Sequence, residues 1–306
     1  MKIIFFGSTD FSQPIAQKIH ESYGLAGVVI TKPKPKGRGL TVELPLVGKW
    51  ANENNIMLFA PDNPNAPDFI KQLTDIAPDI FVLSAYGHIL SGDLLKVPRV
   101  GGINIHPSLL PKYRGAAPIQ RAIMAGEQKT GITIFFMDEK IDHGKIILQQ
   151  EVPIGEKETY GSLSQRLAQL GGELAIQALR MIEKNEYQPI AQNENEASYA
   201  PKIKKEETFI NWYEPSKKIF NLVRALNPCP GARTHFRQME LTILEVEPCD
   251  EKIDPGVLYI RNKELLVGSG DGALIIRLLK PANRRVMSGS DFINGYRIKN
   301  GEAFKR

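Results

Sequence analysis

Asn104 and His106 stand two residues apart in the stretch GGINIHPSLLPKYRGAAPIQRA, at the end of an apolar run. If that run is a strand, both side chains share one face at its carboxyl end. Pro107 and Pro111 then stiffen the loop that follows. About 35 residues on, MDEKIDHGKI places Asp138, Asp142 and His143 in a polar loop between two apolar runs, with Gly144 to take up the turn. An acid from that loop could reach a neighbouring strand and meet His106. A carboxylate beside an imidazole fixes its tautomer and stabilises the imidazolium, and a carboxamide is a neutral donor for a developing oxyanion. Asn, His and Asp without a Ser or Cys nucleophile in the set suit direct attack of a substrate amine on an acyl carbon. Asp138 and His143 are the weaker candidates, since charges in such a loop are commonly solvated.

The elements that must position these groups are readable from pattern. KIIFF ends at Gly7 and is followed by an amphipathic stretch from Ser12 to His20; LAGVVI, DIFVLSAY and GGINI follow in turn. Runs this apolar, rich in Val, Ile and Phe, are strands covered on both faces, which predicts a Rossmann-like open α/β sheet with ligands beyond the strands' carboxyl ends. The first turn, GSTDF, has one glycine and not the dinucleotide fingerprint, so NAD is not expected. GITIFFMDEKIDHGKIILQQEV reads as two strands around a polar loop, and the spacing predicts a helix from Thr159 to Lys184.

Residues 189–207 are polar without a sustained period and read as a linker, dividing a catalytic domain, 1–188, from a C-terminal domain, 208–306. That last third contains TFINW, the helical pattern PSKKIFNLVRAL and the apolar runs ELTILEV, GVLYI, ELLVGSG and ALIIRLLK. Five or so short strands and one helix predict a small β-barrel, OB-like.

Charge is unevenly placed. Of the net +5, residues 1–200 carry 20 Lys and Arg against 21 Asp and Glu, and residues 201–306 carry 19 against 13. The excess suggests a polyanionic partner for the C-terminal third. A second basic feature, TKPKPKGRGL, spaces Lys32, Lys34, Lys36 and Arg38 with prolines and glycines, which excludes a helix or central strand and predicts an exposed loop. Two cysteines, Cys229 and Cys249, are too few for a disulfide framework or zinc site. No metal is expected. No apolar run reaches the length of a membrane span, and no signal-peptide pattern is seen, so a cytoplasmic location and no membrane partner are expected.

INIHPSLLPKYRGAAPIQ, with SAYGHIL before it and MDEKIDHGKI after it, resembles the tetrahydrofolate-dependent formyltransferases. The resemblance implies catalytic roles for Asn104, His106 and Asp142, and folate contacts from Ser108, Leu109, Leu110, Pro111 and Tyr86. The co-substrate it implies is 10-formyltetrahydrofolate. SYAPKIKKEE, VRALNPCPGA and GDGALIIRLLKPANRRVMSGSDFINGYR extend the resemblance over nearly the whole chain, to the tRNA-formylating branch. Formyl transfer to the α-amino group of methionyl initiator tRNA, in translation initiation, is then implied. So is tRNA contact by the basic loop; in the basic C-terminal third, Lys204, Lys205, Arg224, Arg233, Lys280, Arg284 and Arg285 are the positions expected to meet tRNA. His143 stands where Thr is common in the family, and Cys229 where Trp is. A monomer is expected. The alternatives are a formyltransferase acting on a nucleotide-linked amino sugar, and an RNA-binding protein on a retired enzyme scaffold.

Overall fold

The computed structural model describes residues 1–33 and 43–305. The chain forms two compact units, one from Met1–Pro118, Lys129–Pro153 and Ser164–Pro201, the other from Ile119–Gln128, Ile154–Leu163 and Lys202 onward. Residues 189–207 therefore divide at Pro201.

In the first unit, strands β1 (Ile3–Gly7), β2 (Gly27–Val29), β3 (Leu58–Phe59), β4 (Ile80–Ser84) and β5 (Gly102–His106) are interleaved with helices α1 (Ser12–Tyr23), α2 (Leu46–Glu53), α3 (Pro67–Ile76) and the single turn α4 (Gly92–Leu95). After α5 (Pro118–Ala125), which belongs to the second unit from Ile119 on, come β6 (Lys129–Phe136), β7 (Ile146–Pro153) and the long helix α6 (Tyr160–Glu183), part of the first unit from Ser164. The sheet order is β3-β2-β1-β4-β5-β6-β7. The first five strands are parallel, and β6 and β7 are added antiparallel. Every residue of β1 and β4 is buried, as expected of strands covered on both faces. Phe6, Phe81 and Tyr86 pack edge-on within this core. The sheet is parallel-rich and Rossmann-like.

Register decides where the loop carrying Asp142 starts. Ile103 pairs with Phe136 and His106 with Thr133, so β6 ends beside the beginning of β5. The loop after Phe136 must turn back along β5 for Asp142 to meet residues further along that strand. Beyond α6 the chain returns to the first unit, where Ile190 bridges Ile146 at the start of β7 and Tyr199 bridges Arg114 in the segment after β5.

The second unit contains α7 (Ser216–Leu226), β8 (Ala232–Phe236), β9 (Met239–Cys249), β10 (Leu258–Arg261), β11 (Glu264–Gly268), β12 (Ala273–Pro281), β13 (Met287–Ser288), α8 (Gly289–Tyr296) and β14 (Phe304–Lys305). Its sheet runs β10-β11-β12-β9-β8-β14, with β13 on β12, and all its ladders are antiparallel. The sheet curls: Leu258 N–H donates to Glu302 O and Phe304 N–H to Gly256 O, joining segments at its two edges. Phe236, Phe292, Trp212 and the apolar face of α7 fill the interior. TFINW forms no strand of its own. It contributes one bridge, Phe209 to Arg233, before the Asn211 side chain accepts the Tyr213 N–H and turns the chain. Among the described residues, no helix is long and apolar enough to cross a membrane.

Candidate active site

A cavity of about 450 Å³ opens in the first unit beyond the carboxyl end of β4. Its wall is apolar where Leu83, Ile89, Leu90, Phe135 and Met137 contribute, and polar where Asn104, His106 and Asp142 converge. The size and the mixture suit a small organic ligand fixed by a few polar groups.

Asp142 is the hub. Its Oδ1 accepts from Asn104 Nδ2 at 3.3 Å and its Oδ2 from the Gly115 N–H at 2.8 Å. His106 Nδ1 faces the same Oδ2 at 3.6 Å, ion-pair range but beyond a hydrogen bond. The other ring nitrogen, Nε2, lies 2.9 Å from the Tyr113 carbonyl. A carbonyl has no proton to give, so Nε2 must carry one, and in the neutral ring the lone pair sits on Nδ1, on the Asp142 side. Both side chains are nearly removed from water, His106 at 4% exposure and Asp142 at 12%.

Two glycines permit this geometry. Gly115 has φ +119°, and a Cβ there would lie 2.9 Å from Ala200 O; a Cβ on Gly144 would lie 1.6 Å from Phe136 O. Asp142 itself sits at φ +49°, a left-handed conformation that a non-glycine residue keeps only when its surroundings hold it.

The remaining expected residues are distributed as follows. Tyr86 lines the cavity at 4% exposure, and its phenol oxygen has no hydrogen-bond partner among the described residues. Burial pushes that phenol up, so it stays a neutral donor. Ser108, Leu109, Leu110 and Pro111 do not line the cavity. Ser108 is fully buried and donates to Lys112 O, while Thr133 Oγ1 bridges Ser108 O and the Leu110 N–H, so this segment is tied to its own turn and to β6. Asp138 lines the cavity and hydrogen-bonds His143 Nδ1 at 2.6 Å.

The basic residues divide as well. Lys32 is paired with Asp62 at 2.7 Å, both exposed; Lys34, Lys36 and Arg38 lie outside the described residues. Arg224, expected to meet tRNA, is instead buried at 6% exposure. Its Nε donates to Asn221 Oδ1, its Nη1 lies 3.3 Å from Glu158 O, and burial pulls its pKa down. Lys204, Lys205, Lys280, Arg284 and Arg285 are exposed. Arg233 and Lys280 both stand opposite Thr242 in register, on β8 and β12 respectively, so the three share the outer face of the sheet.

Sequence reasoning missed Tyr113, Gly115 and Gln192. Two of them act through backbone atoms, which leave no side-chain signature. Only the glycine in KYRGAAP hints at a close backbone approach.

Residues 1–179 match the formyl transferase family, and residues 202–297 match its C-terminal domain. The chain belongs to the formyl transferase family. Among its relatives, the methionyl-tRNA formyltransferase of Thermodesulfovibrio yellowstonii is 38% identical over 300 residues, covering 98% of this chain and 97% of that one. The methionyl-tRNA formyltransferase of Halothermothrix orenii is 39% identical over 313 residues, 99% of each. Two solved structures share the fold. WlaRD, a sugar 3N-formyl transferase, superposes with a TM-score of 0.67 at 22% identity, covering 93% of this chain and 99% of that one. HypX from Aquifex aeolicus, crystallised with tetrahydrofolic acid, gives a TM-score of 0.67 at 19% identity. That match covers 99% of this formyltransferase-family chain and 48% of HypX, so the chain spans about half of HypX's length.

Proposed function

We infer that this enzyme transfers a formyl group from 10-formyltetrahydrofolate to the α-amino group of methionyl initiator tRNA, at the start of translation. The observation that carries the reading is the near end-to-end kinship with proteins named methionyl-tRNA formyltransferase. Asn104, His106 and Asp142, gathered on one cavity, supply the matching chemistry. A folate fits this cavity on two counts: the apolar wall suits a flat ring system, and the buried Tyr86 phenol lacks a partner that a ring nitrogen or carbonyl would provide. The folate, as co-substrate, supplies an activated formyl carbon on nitrogen.

The residues then do the following. Asn104 gives one amide N–H to Asp142 and keeps the other for the carbonyl oxygen as it becomes anionic. His106, with Nε2–H committed to Tyr113, takes the attacking amine's proton at Nδ1. The imidazolium so formed faces Asp142 at 3.6 Å, which stabilises it until the proton passes to the departing amine. No covalent acyl-enzyme is needed. The low exposure of His106 and Asp142 keeps water from competing for the formyl carbon.

The second unit's curled sheet is read as OB-like and as the tRNA-binding part. Exposed Lys204, Lys205, Lys280, Arg284 and Arg285 support that reading, and the segment from Lys32 to Arg38 joins them on charge alone. A monomer working in the cytoplasm is consistent with this reading. The test is single-turnover transfer of labelled formyl, offered side by side to methionyl initiator tRNA, methionyl elongator tRNA and a nucleotide-linked amino sugar. Strong preference for the initiator tRNA is expected; transfer to the sugar alone would overturn the substrate while keeping the chemistry.

A further inference from the structure

We propose that Gln192, locked by Arg114 and Glu194, is a positioning residue that holds the catalytic loop closed over β5, so that turnover depends on a side chain that does not line the cavity. The inference rests on the catalytic reading of Asp142 given above.

Gln192 Nε2 donates to two loop carbonyls, Asp142 O and Gly144 O, each at 2.9 Å. Its Oε1 accepts from Arg114 Nε at 3.1 Å and Nη2 at 2.7 Å. With two acceptors on one side and two donors on the other, only one orientation of the amide satisfies all four contacts. Arg114 is 2% exposed, and its guanidinium also forks onto Glu194 at 2.7 and 3.0 Å. Hydrogen bonding to Glu194 raises the arginine's pKa, and the same bond lowers that of Glu194. His143 Nε2, from the same loop, faces Glu194 at 3.5 Å.

Arg114 is itself fixed by backbone: its N–H donates to Ser198 O at 2.8 Å and its O accepts from the Ala200 N–H at 2.7 Å. The next residue, Gly115, gives its N–H to the Asp142 carboxylate. One dipeptide thus holds Asp142 twice, its carboxylate through Gly115 and its backbone through Arg114 and Gln192. The left-handed φ of Asp142 gives this double hold something to do, because the loop has to be kept in a conformation it would not choose alone.

The test uses Gln192→Glu in the full chain. The carboxylate keeps Arg114 but sets its lone pairs against the two loop carbonyls. Expected is a fall in kcat of about 10²-fold, the scale for a sub-ångström to ångström misplacement of a catalytic group, with affinity for tetrahydrofolate and melting temperature nearly unchanged. Glu194→Gln, at an exposed position, is expected to give a smaller loss, about 3- to 10-fold, again in kcat. Asp142→Ala is run beside them. Near-normal kcat in Gln192→Glu with an inactive Asp142→Ala overturns the positioning role alone. A kcat loss matched by equal losses of folate affinity and melting temperature also overturns it. Near-normal turnover in Asp142→Ala overturns the catalytic reading itself.

Discussion

Asp142→Asn changes one atom in the side chain and two interactions. The carboxylate accepts from Asn104 Nδ2 and the Gly115 N–H and faces His106 Nδ1 at 3.6 Å. An amide keeps the shape, but its NH₂ has to meet either the Asn104 amide or the Gly115 N–H, donor against donor. The charge is lost as well. At an effective dielectric of about 20, an imidazolium and a carboxylate at this separation attract by about 5 kcal/mol. Both groups are largely buried, so little of that is screened. Some of it returns when the loop relaxes, which leaves a loss in rate of roughly 10³-fold at about 1.4 kcal/mol per decade. The loss belongs in kcat, because the imidazolium exists only after the amine has attacked. Single-turnover formylation of methionyl-tRNA at saturating donor, near neutral pH, measures it. A loss smaller than tenfold, or one that appears entirely in KM, would refute the assignment of Asp142 as the imidazolium's partner.

Gly115→Ala meets Ala200 O and an unfavourable φ, so a destabilisation of roughly 1–3 kcal/mol is expected, together with weaker turnover as the N–H leaves Asp142; parental melting temperature and kcat would count against it. Glu207 is held below the usual carboxylate range by its hydrogen bonds to Arg121, at 2.6 and 3.0 Å, and by the Lys204 N–H. A depressed folded pKa contributes stability above the unfolded value of about 4.3, and that stability is lost as pH falls through the folded value. Glu207→Gln should therefore cost up to about 1 kcal/mol near neutral pH, after allowance for solvent screening, and the gap to the parent should close in acid; a gap independent of pH would contradict this. Replacing Lys280, Arg284 and Arg285 together by Ala should flatten the salt dependence of tRNA binding by up to about 0.9 per lost phosphate contact without touching folate affinity; an unchanged slope would remove this patch from the interface.

Much of the first unit was legible because buried strands announce themselves. IIFFG is apolar throughout and IFVLS as far as its final serine, and the structure buries every residue of both. The period-two argument also placed Asn104 and His106 on one face, and the cavity receives both. Three things were not legible, each for a stated reason. The direction of β6 starts the loop carrying Asp142 beside Gly102, and strand direction is a property of pairing that an apolar run does not encode. Tyr113 and Gly115 act through C=O and N–H groups that every residue carries. Gln192 lies 50 residues from Asp142, inside a polar segment whose lack of period concealed its packing. Arg224 misled for a related reason: charge is visible in a sequence, but a guanidinium turned inward onto Asn221 is not.

The return of residues 190–200 to the first unit imposes an order in time as well as in space. The loop carrying Asp142 is synthesised about 50 residues before Gln192, so the nascent chain holds Asn104, His106 and Asp142 before the Gln192 hydrogen bonds to that loop can form. At typical elongation rates of roughly 5–20 residues per second, that interval lasts a few seconds, long on the scale of local chain motion. The unit is also assembled from three separate stretches, the last ending at Pro201. Its last-made bridge, Arg114 to Tyr199, joins residues 85 apart in sequence, and the site should become competent late in folding.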